Sequence, residues 1–322
     1  MATTQQRGGA ISESTWEPKL QRWSVGPGKT EEEKMNHAVA GIAGAIKSSP
    51  KFASSDVDII ATGSYANRTH IPSESDVDVA VIYKTFFSNY WNFADPRAAT
   101  DQSVVEELMR EAGVSSATYD DADYRNDVEA ALVARFGREA VERGKICFDV
   151  HENTYRVESD CVATFEYRQW QRDTFGRLYP VLGIRVTNDA HRHIINFPRQ
   201  QHANGVDKHD RTHQRFKKVV RIVKNLRVEM EEAGIDEAKP IPSFLIESLV
   251  YRVPDEYFGG PAFYPELRRV LAWLFNNTMP GKDCSKWTEE NEIKFLFHSS
   301  QSWTQEQAHA FISTAWDYVG FG

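Results

Sequence analysis

Two carboxylates one residue apart, Asp76 and Asp78, open the alternating run Asp76-Val-Asp-Val-Ala-Val-Ile82, and Gly63-Ser64 stands a short spacer upstream. In an extended strand, side chains alternate between faces. Asp76 and Asp78 therefore share one face, and Val77, Val79 and Val81 take the other. Two like charges side by side are costly without a cation between them. Hard oxygen ligands at this spacing suit Mg²⁺, which commonly keeps substrate phosphates among its ligands. Gly63 lets backbone amides approach a bulky anion closely, and Ser64 adds a hydroxyl donor. The pattern fits metal-assisted chemistry on a phosphate. The competing reading, two acids on the solvated face of an edge strand, is weakened by Gly63-Ser64 at a strand end. A two-metal site needs a third carboxylate from a neighbouring strand. Asp149 and Asp160 are the candidates, and spacing does not choose between them. Asp120, Asp121 and Asp123 lack a strand pattern and read as a solvated loop.

The chain is acidic overall, with a net charge of -8, yet residues 191–227 hold ten Lys or Arg, five of the ten His and only two acids. Lys217, Arg221 and Lys224 recur at helical spacing. For most of this segment the expectation is a solvated helix face. One or two of its cations could hold the β- and γ-phosphates of a nucleoside triphosphate. Five histidines with no cysteine between Cys161 and Cys284, and no HExxH spacing, do not make a zinc site. No GxxxxGK[ST] loop is present, and no motif supports Ser-His-Asp chemistry.

These residues need a scaffold. The 322 residues are 41% hydrophobic and 26% charged, enough for a large core and about two domains. No apolar run is long enough for a membrane span, and the N-terminus lacks a secretory pattern. Three scattered cysteines fit a reducing, cytoplasmic setting. The acidic balance speaks against dedicated DNA or RNA binding. Residues 1–15 read as a loose lead-in. Thr30 and Glu33 form a capping-box pattern before a helix over about 31–48. Strands are expected at Val57–Thr62, 76–82, 145–150 and 154–162, the last two joined by a turn at Glu152-Asn153, with a helix over 127–136. Beyond residue 205 the pattern is helical: a long helix through Phe216, Val220, Val223 and Met230, then Phe244–Val250, Pro265–Phe275 and Thr304–Val319. The last opens on another capping box, Thr304 with Gln307. The expectation is an α/β module followed by a helical one, with a ligand cleft between them.

With both modules read, the chain resembles the cGAS/DncV-like nucleotidyltransferases (CD-NTases), and among them clade E (CdnE). The resemblance runs from about Leu20 to Trp316. It rests on Gly63-Ser-Tyr-Ala-Asn-Arg-Thr69, Ser75-Asp-Val-Asp-Val-Ala-Val81, Tyr155–Arg168, Ile194-Ile-Asn-Phe-Pro198, His202-Ala-Asn-Gly205, Phe216–Asn225, Pro242-Ser-Phe-Leu-Ile-Glu247 and Val253–Gly260. It implies an α+β fold: a polymerase-β-like nucleotidyltransferase core with a long N-terminal helix over 1–205, and an oligoadenylate-synthase-type helical domain over 206–322. The family's third acid opens a segment Asp-Val-Val-Pro, here Asp160-Cys-Val-Ala, so the resemblance favours Asp160. It implies that Asp76, Asp78 and Asp160 hold Mg²⁺, with Mn²⁺ as a substitute. It places Gly63, Ser64, Lys224 and Ser243 on the donor triphosphate. Phe244 stacks on a base or packs in the core, with the two readings evenly matched. The implied reaction is stepwise 3′–5′ phosphodiester formation and ring closure. The implied setting is anti-phage signalling (CBASS) through a separate cyclic-nucleotide-responsive effector. Some relatives are conjugated through the C-terminal residue, a chemistry that Gly322 suits, although a frayed cap is the more ordinary reading of a glycine there. One reading of Asn196 is an asparagine bonding local backbone before a turn proline. The competing one comes from clade E relatives that use pyrimidines, which carry an asparagine before an aromatic-proline pair; the resemblance puts Asn196 there, where its carbonyl and amide match the uracil edge. This favours UTP and ATP as substrates, with cyclic UMP–AMP the first expectation and cyclic di-UMP the second. The alternatives are a linear or macromolecule-modifying nucleotidyltransferase, a purine-only cyclase, and an inactive binding protein.

Overall fold

A computed structural model describes residues 13–53, 57–72, 76–87, 119–187 and 193–322. The chain divides into two compact units: one of residues 28–65 and 75–198, the other of residues 1–27, 66–74 and 199–322. Among the described residues no helix is long and apolar enough to cross a membrane.

The first unit is built on a mixed sheet of seven strands: β1 (Val57–Ala61), β2 (Val77–Phe87), β3 (Val141–Arg143), β4 (Phe148–Val150), β5 (Ser159–Arg172), β6 (Leu178–Thr187) and β7 (His193–Asn196). The order is β1-β2-β5-β4-β3, with β6 pairing β5 and β7 pairing β6. β2 and β5 run parallel, and the other described pairs are antiparallel. Val77, Val79 and Val81 are fully buried. They pack in one cluster with Met35, Ile42 and Ile46 of the helix Lys29–Ser48 and with Tyr124, Val128 and Leu132 of the helix Asp121–Phe136. After Asp78 the opposite face of β2 becomes apolar too: Ala80 and Ile82 are buried with Ile184.

Several local expectations change. The capping box at Thr30 does not form. The helix starts at Lys29, behind Gly28, whose carbonyl accepts the N–H groups of Glu31 and Glu32. That start puts both glutamates in the first turn, where the helix dipole favours them. Asp120, Asp121 and Asp123 are not a loop but a helix start. The Asp120 side chain caps the Asp123 N–H at 2.7 Å, and Asp121 pairs with Arg185 at 2.8 Å. The strand expected at 154–162 begins only at Ser159 and runs on to Arg172. Before it, the Asn153 side chain accepts from the N–H groups of Tyr155 and Arg156, bending residues 153–156 into an Asx-type turn.

The second unit is helical. The helix Phe216–Glu232 buries Phe216, Val219, Val220, Ile222, Val223, Leu226 and Met230 against the helices Ser243–Arg252, Phe263–Thr278 and Gln305–Val319. Here the capping box does form: Thr304 Oγ1 accepts from Gln307 N, and Gln307 Oε1 accepts from Thr304 N. Of the expected loose lead-in, residues 1–12 lie outside the described residues. Residues 13–15 begin a helix, Glu13–Ser24, whose Trp16 and Leu20 belong to this core. The end of the chain is not a frayed cap. Gly320 closes the last helix in the left-handed region, and Phe321 is buried against Tyr264 and Trp316.

Candidate active site

β1 ends at Ala61, and the Thr62 N–H donates to the Asp78 carbonyl at 2.8 Å. This ties the turn carrying Gly63 and Ser64 to the strand carrying the acids. Gly63 has φ +63°, and a Cβ there would overlap the Asp78 carboxylate. Glycine is required twice, by backbone and by space. Ser64, half-buried, follows in the short helix Gly63–Asn67. Asp76 is exposed just before β2, and Asp78 is half-buried on it.

Strand register supplies the third acid. Asp78 and Asp160 are direct partners across the parallel β2–β5 pair, and Asp149 and Asp160 are partners across β4–β5. Spacing alone presented Asp149 and Asp160 as alternatives. The sheet makes them neighbours, so Asp149 is a fourth acid in the group. Burial, then the carboxylates of Asp78, Asp149 and Asp76, push Asp160 up to about 7. Among the described residues, the ligand atoms of Cys147, Asp149 and Asp160 gather within 4.8 Å of one another. The Cys147 thiol donates to Asp149 at 3.2 Å. Burial and those two acids push that thiol up to about 12, so at neutral pH it is a neutral group and not a thiolate ligand. The remaining donors are carboxylate oxygens in a half-buried place with concentrated negative charge. Such a set fits a hard divalent cation.

In the helical unit, Lys224 is fully buried and its Nζ meets Glu247 Oε1 at 2.5 Å. Glu247 also accepts from Thr69 Oγ1 at 2.8 Å and Asn67 Nδ2 at 3.4 Å. Lys217 and Arg221 are buried as well. The Arg221 guanidinium donates to the carbonyls of Ser24 and Arg68. The basic stripe expected to be a solvated face is therefore mostly interior. The Lys224 head satisfies the buried Glu247 carboxylate, and the Arg221 head satisfies backbone carbonyls. Ser243 is the first residue of its helix, the positive end of the helix dipole, which favours anions. Phe244, half-buried, lies against Trp303 with ring centroids 6.1 Å apart. Asn196 ends β7 and is exposed, one residue before the buried Phe197.

Comparison with known proteins bears on the same residues. The family described as a nucleotidyltransferase domain matches residues 42–170. The family described as the cGAS/DncV-like nucleotidyltransferase C-terminal helical domain matches residues 203–320. The cyclic dipyrimidine nucleotide synthase CdnE of Legionella pneumophila is 36% identical over 94% of this chain and 98% of its own. The synthase of the same description from Cecembia lonarensis is 32% identical over 95% of this chain and 98% of its own. The structure of the Rhodothermus marinus CdnE c-UMP-AMP synthase with Apcpp and Upnpp superposes with a TM-score of 0.78 at 28% identity, covering 95% of this chain and 97% of that one.

Proposed function

From the premise that the chain belongs to the cGAS/DncV-like nucleotidyltransferases, we propose that it is a cyclic dinucleotide synthase whose product contains uridine. The observation that carries the chemistry is the register that sets Asp160 beside Asp78, with Gly63 seated against the Asp78 carboxylate.

Asp76, Asp78 and Asp160 would hold Mg²⁺, or Mn²⁺ in its place, which when bound supplies Lewis-acid activation and charge neutralisation at the phosphate. The Gly63 backbone, the Ser64 hydroxyl, Lys224 and Ser243 are assigned to the donor triphosphate. A 3′-oxygen forms a bond to the α-phosphorus. The bond from that phosphorus to the bridging oxygen breaks, pyrophosphate leaves, and the hydroxyl proton passes to water. A second round on the linear product closes the ring. Positioning and charge stabilisation supply most of the rate. Lys224 is held by Glu247 in this structure, so phosphate binding there requires the lysine to exchange or share that partner.

Asn196 supports pyrimidine choice, since a site that hydrogen-bonds a base edge rejects the base that leaves it unpaired. The dipyrimidine products of the relatives at 36% and 32% identity raise cyclic di-UMP to equal standing with cyclic UMP–AMP. The CBASS setting and a separate effector are supported by family resemblance alone. The test is incubation with four labelled NTPs and Mg²⁺, phosphatase treatment and mass spectrometry. A phosphatase-resistant uridine-containing dinucleotide is expected. A linear product, a nucleotide attached to a macromolecule, or purine-only product would refute the proposal.

A further inference from the structure

Gly183 sits inside β6, where glycine ordinarily weakens a strand. Its φ is not positive, so the backbone does not ask for glycine. Space does. A Cβ at Gly183 would stand 2.7 Å from the Asn196 carbonyl oxygen and 2.9 Å from both Cδ1 and Cε1 of Phe197, closer than real Cβ contacts come. The Phe197 ring fills the place of the missing side chain and is 2% exposed. It meets Tyr167 edge-on, with centroids 6.0 Å apart at 74°. Tyr167 is the cross-strand partner of Gly183, and Ile184 is the partner of Asn196. Asn196 is therefore the last strand residue before a ring seated over a glycine and against a tyrosine.

We infer that Gly183, with Phe197 and Tyr167, is the mount that fixes where β7 ends against β6 and so places Asn196, making Gly183 a positioning residue for base selection. The inference rests on the reading of Asn196 as the base-contacting residue. A side chain at position 183 must lift the end of β7 or expel the Phe197 ring. A reading group needs placement to within about 0.5 Å to keep its hydrogen bonds. A small displacement then costs selectivity while leaving Asp76, Asp78 and Asp160 in place.

The experiment gives the enzyme equimolar UTP and ATP with Mg²⁺ and measures the ratio of uridine to adenosine in the product, alongside Tm. Gly183→Ala is expected to lower the ratio at least threefold, in the same direction as Asn196→Ser. Adding Phe197→Leu, which makes room for the new methyl, should bring the ratio back to within twofold of wild type. A Gly183→Ala enzyme with a lower Tm and an unchanged ratio would show mere packing and overturn the inference. If Asn196→Ser moves the ratio and Gly183→Ala does not, the reading of Asn196 stands and only the mount falls. If Asn196→Ser leaves it unmoved, both fall. Should Gly183→Ala fail to fold, Phe197→Leu alone loosens the mount, and an unchanged ratio there is equally fatal.

Discussion

Asp160 is raised to about 7 from an ordinary 3.8 by burial and by three facing carboxylates, Asp78, Asp149 and Asp76. The linkage has a definite sign. Below about pH 4 both folded and unfolded chains hold this proton. Between about 4 and 7 the unfolded chain releases it while the folded one keeps it, so stability falls as pH rises through that window. The metal-free protein should lose on the order of 1–2 kcal/mol from this group between pH 4 and 8, allowing for solvent screening. A divalent cation should reverse the loss. Thermal melts in EDTA and in Mg²⁺ check this: the Tm gain on adding metal is expected to be larger at pH 8 than at pH 5, and Asp160→Asn should flatten the difference. A gain independent of pH would contradict it. The paired change Asp76→Asn with Asp78→Asn is expected to abolish product while leaving Tm equal to or above wild type, because it relieves like-charge repulsion. Near-normal synthesis by that double variant would remove both residues from the metal site.

At the scale of elements, Lys224 on the helix Phe216–Glu232 and Glu247 on the helix Ser243–Arg252 form a buried ion pair. Removing one partner strands a charge, at a cost of about 3–5 kcal/mol. Lys224→Met should destabilise by that order, and Lys224→Met with Glu247→Leu should recover much of it in a denaturant titration. Activity is expected to stay lost in the double variant, since the lysine proposed to hold the triphosphate is gone. Recovery of activity along with stability would make Lys224 purely structural. The two capping-box patterns show what local sequence can and cannot specify. Thr304–Gln307 forms as written, and Thr304→Ala should cost about 1 kcal/mol. Thr30–Glu33 fits the same motif, with Glu in place of Gln, but loses to Gly28, whose carbonyl opens the helix earlier. β6 was hidden for a related reason. Pro180 and Gly183 speak against a strand locally, and long pairing with β5 together with the Phe197 ring over Gly183 overrides them.

For the whole molecule, the two-part fold was legible, because alternation and helical spacing change character along the chain. The way the chain is shared between the units was not. The helix Glu13–Ser24 packs into the helical unit's core through Trp16 and Leu20, far in sequence from its partners. The Trp16 ring lies 6.1 Å from Tyr318, a contact no local pattern encodes. Trp16→Ala should therefore destabilise the helical unit by about 3–5 kcal/mol, measured by denaturant unfolding. A change within 1 kcal/mol would mean the helix is peripheral. In the candidate site, Asp76, Asp78, Gly63 and Ser64 could be read from one short stretch. Asp149 beside Asp160 could not, because strand register is a tertiary fact.

The parallel pairing of β2 with β5 has a kinetic side. Parallel neighbours cannot be joined by a tight hairpin. Asp78 and Asp160, adjacent in the sheet, are separated by 82 positions of chain. Closing so long a loop is slow compared with forming helices or local turns. The carboxylates become a site only after β2 and β5 have paired. An incomplete or nascent chain has the motif without the chemistry. In refolding from denaturant, helical signal should return well before synthesis does. The enzyme is therefore inactive until that pairing is made.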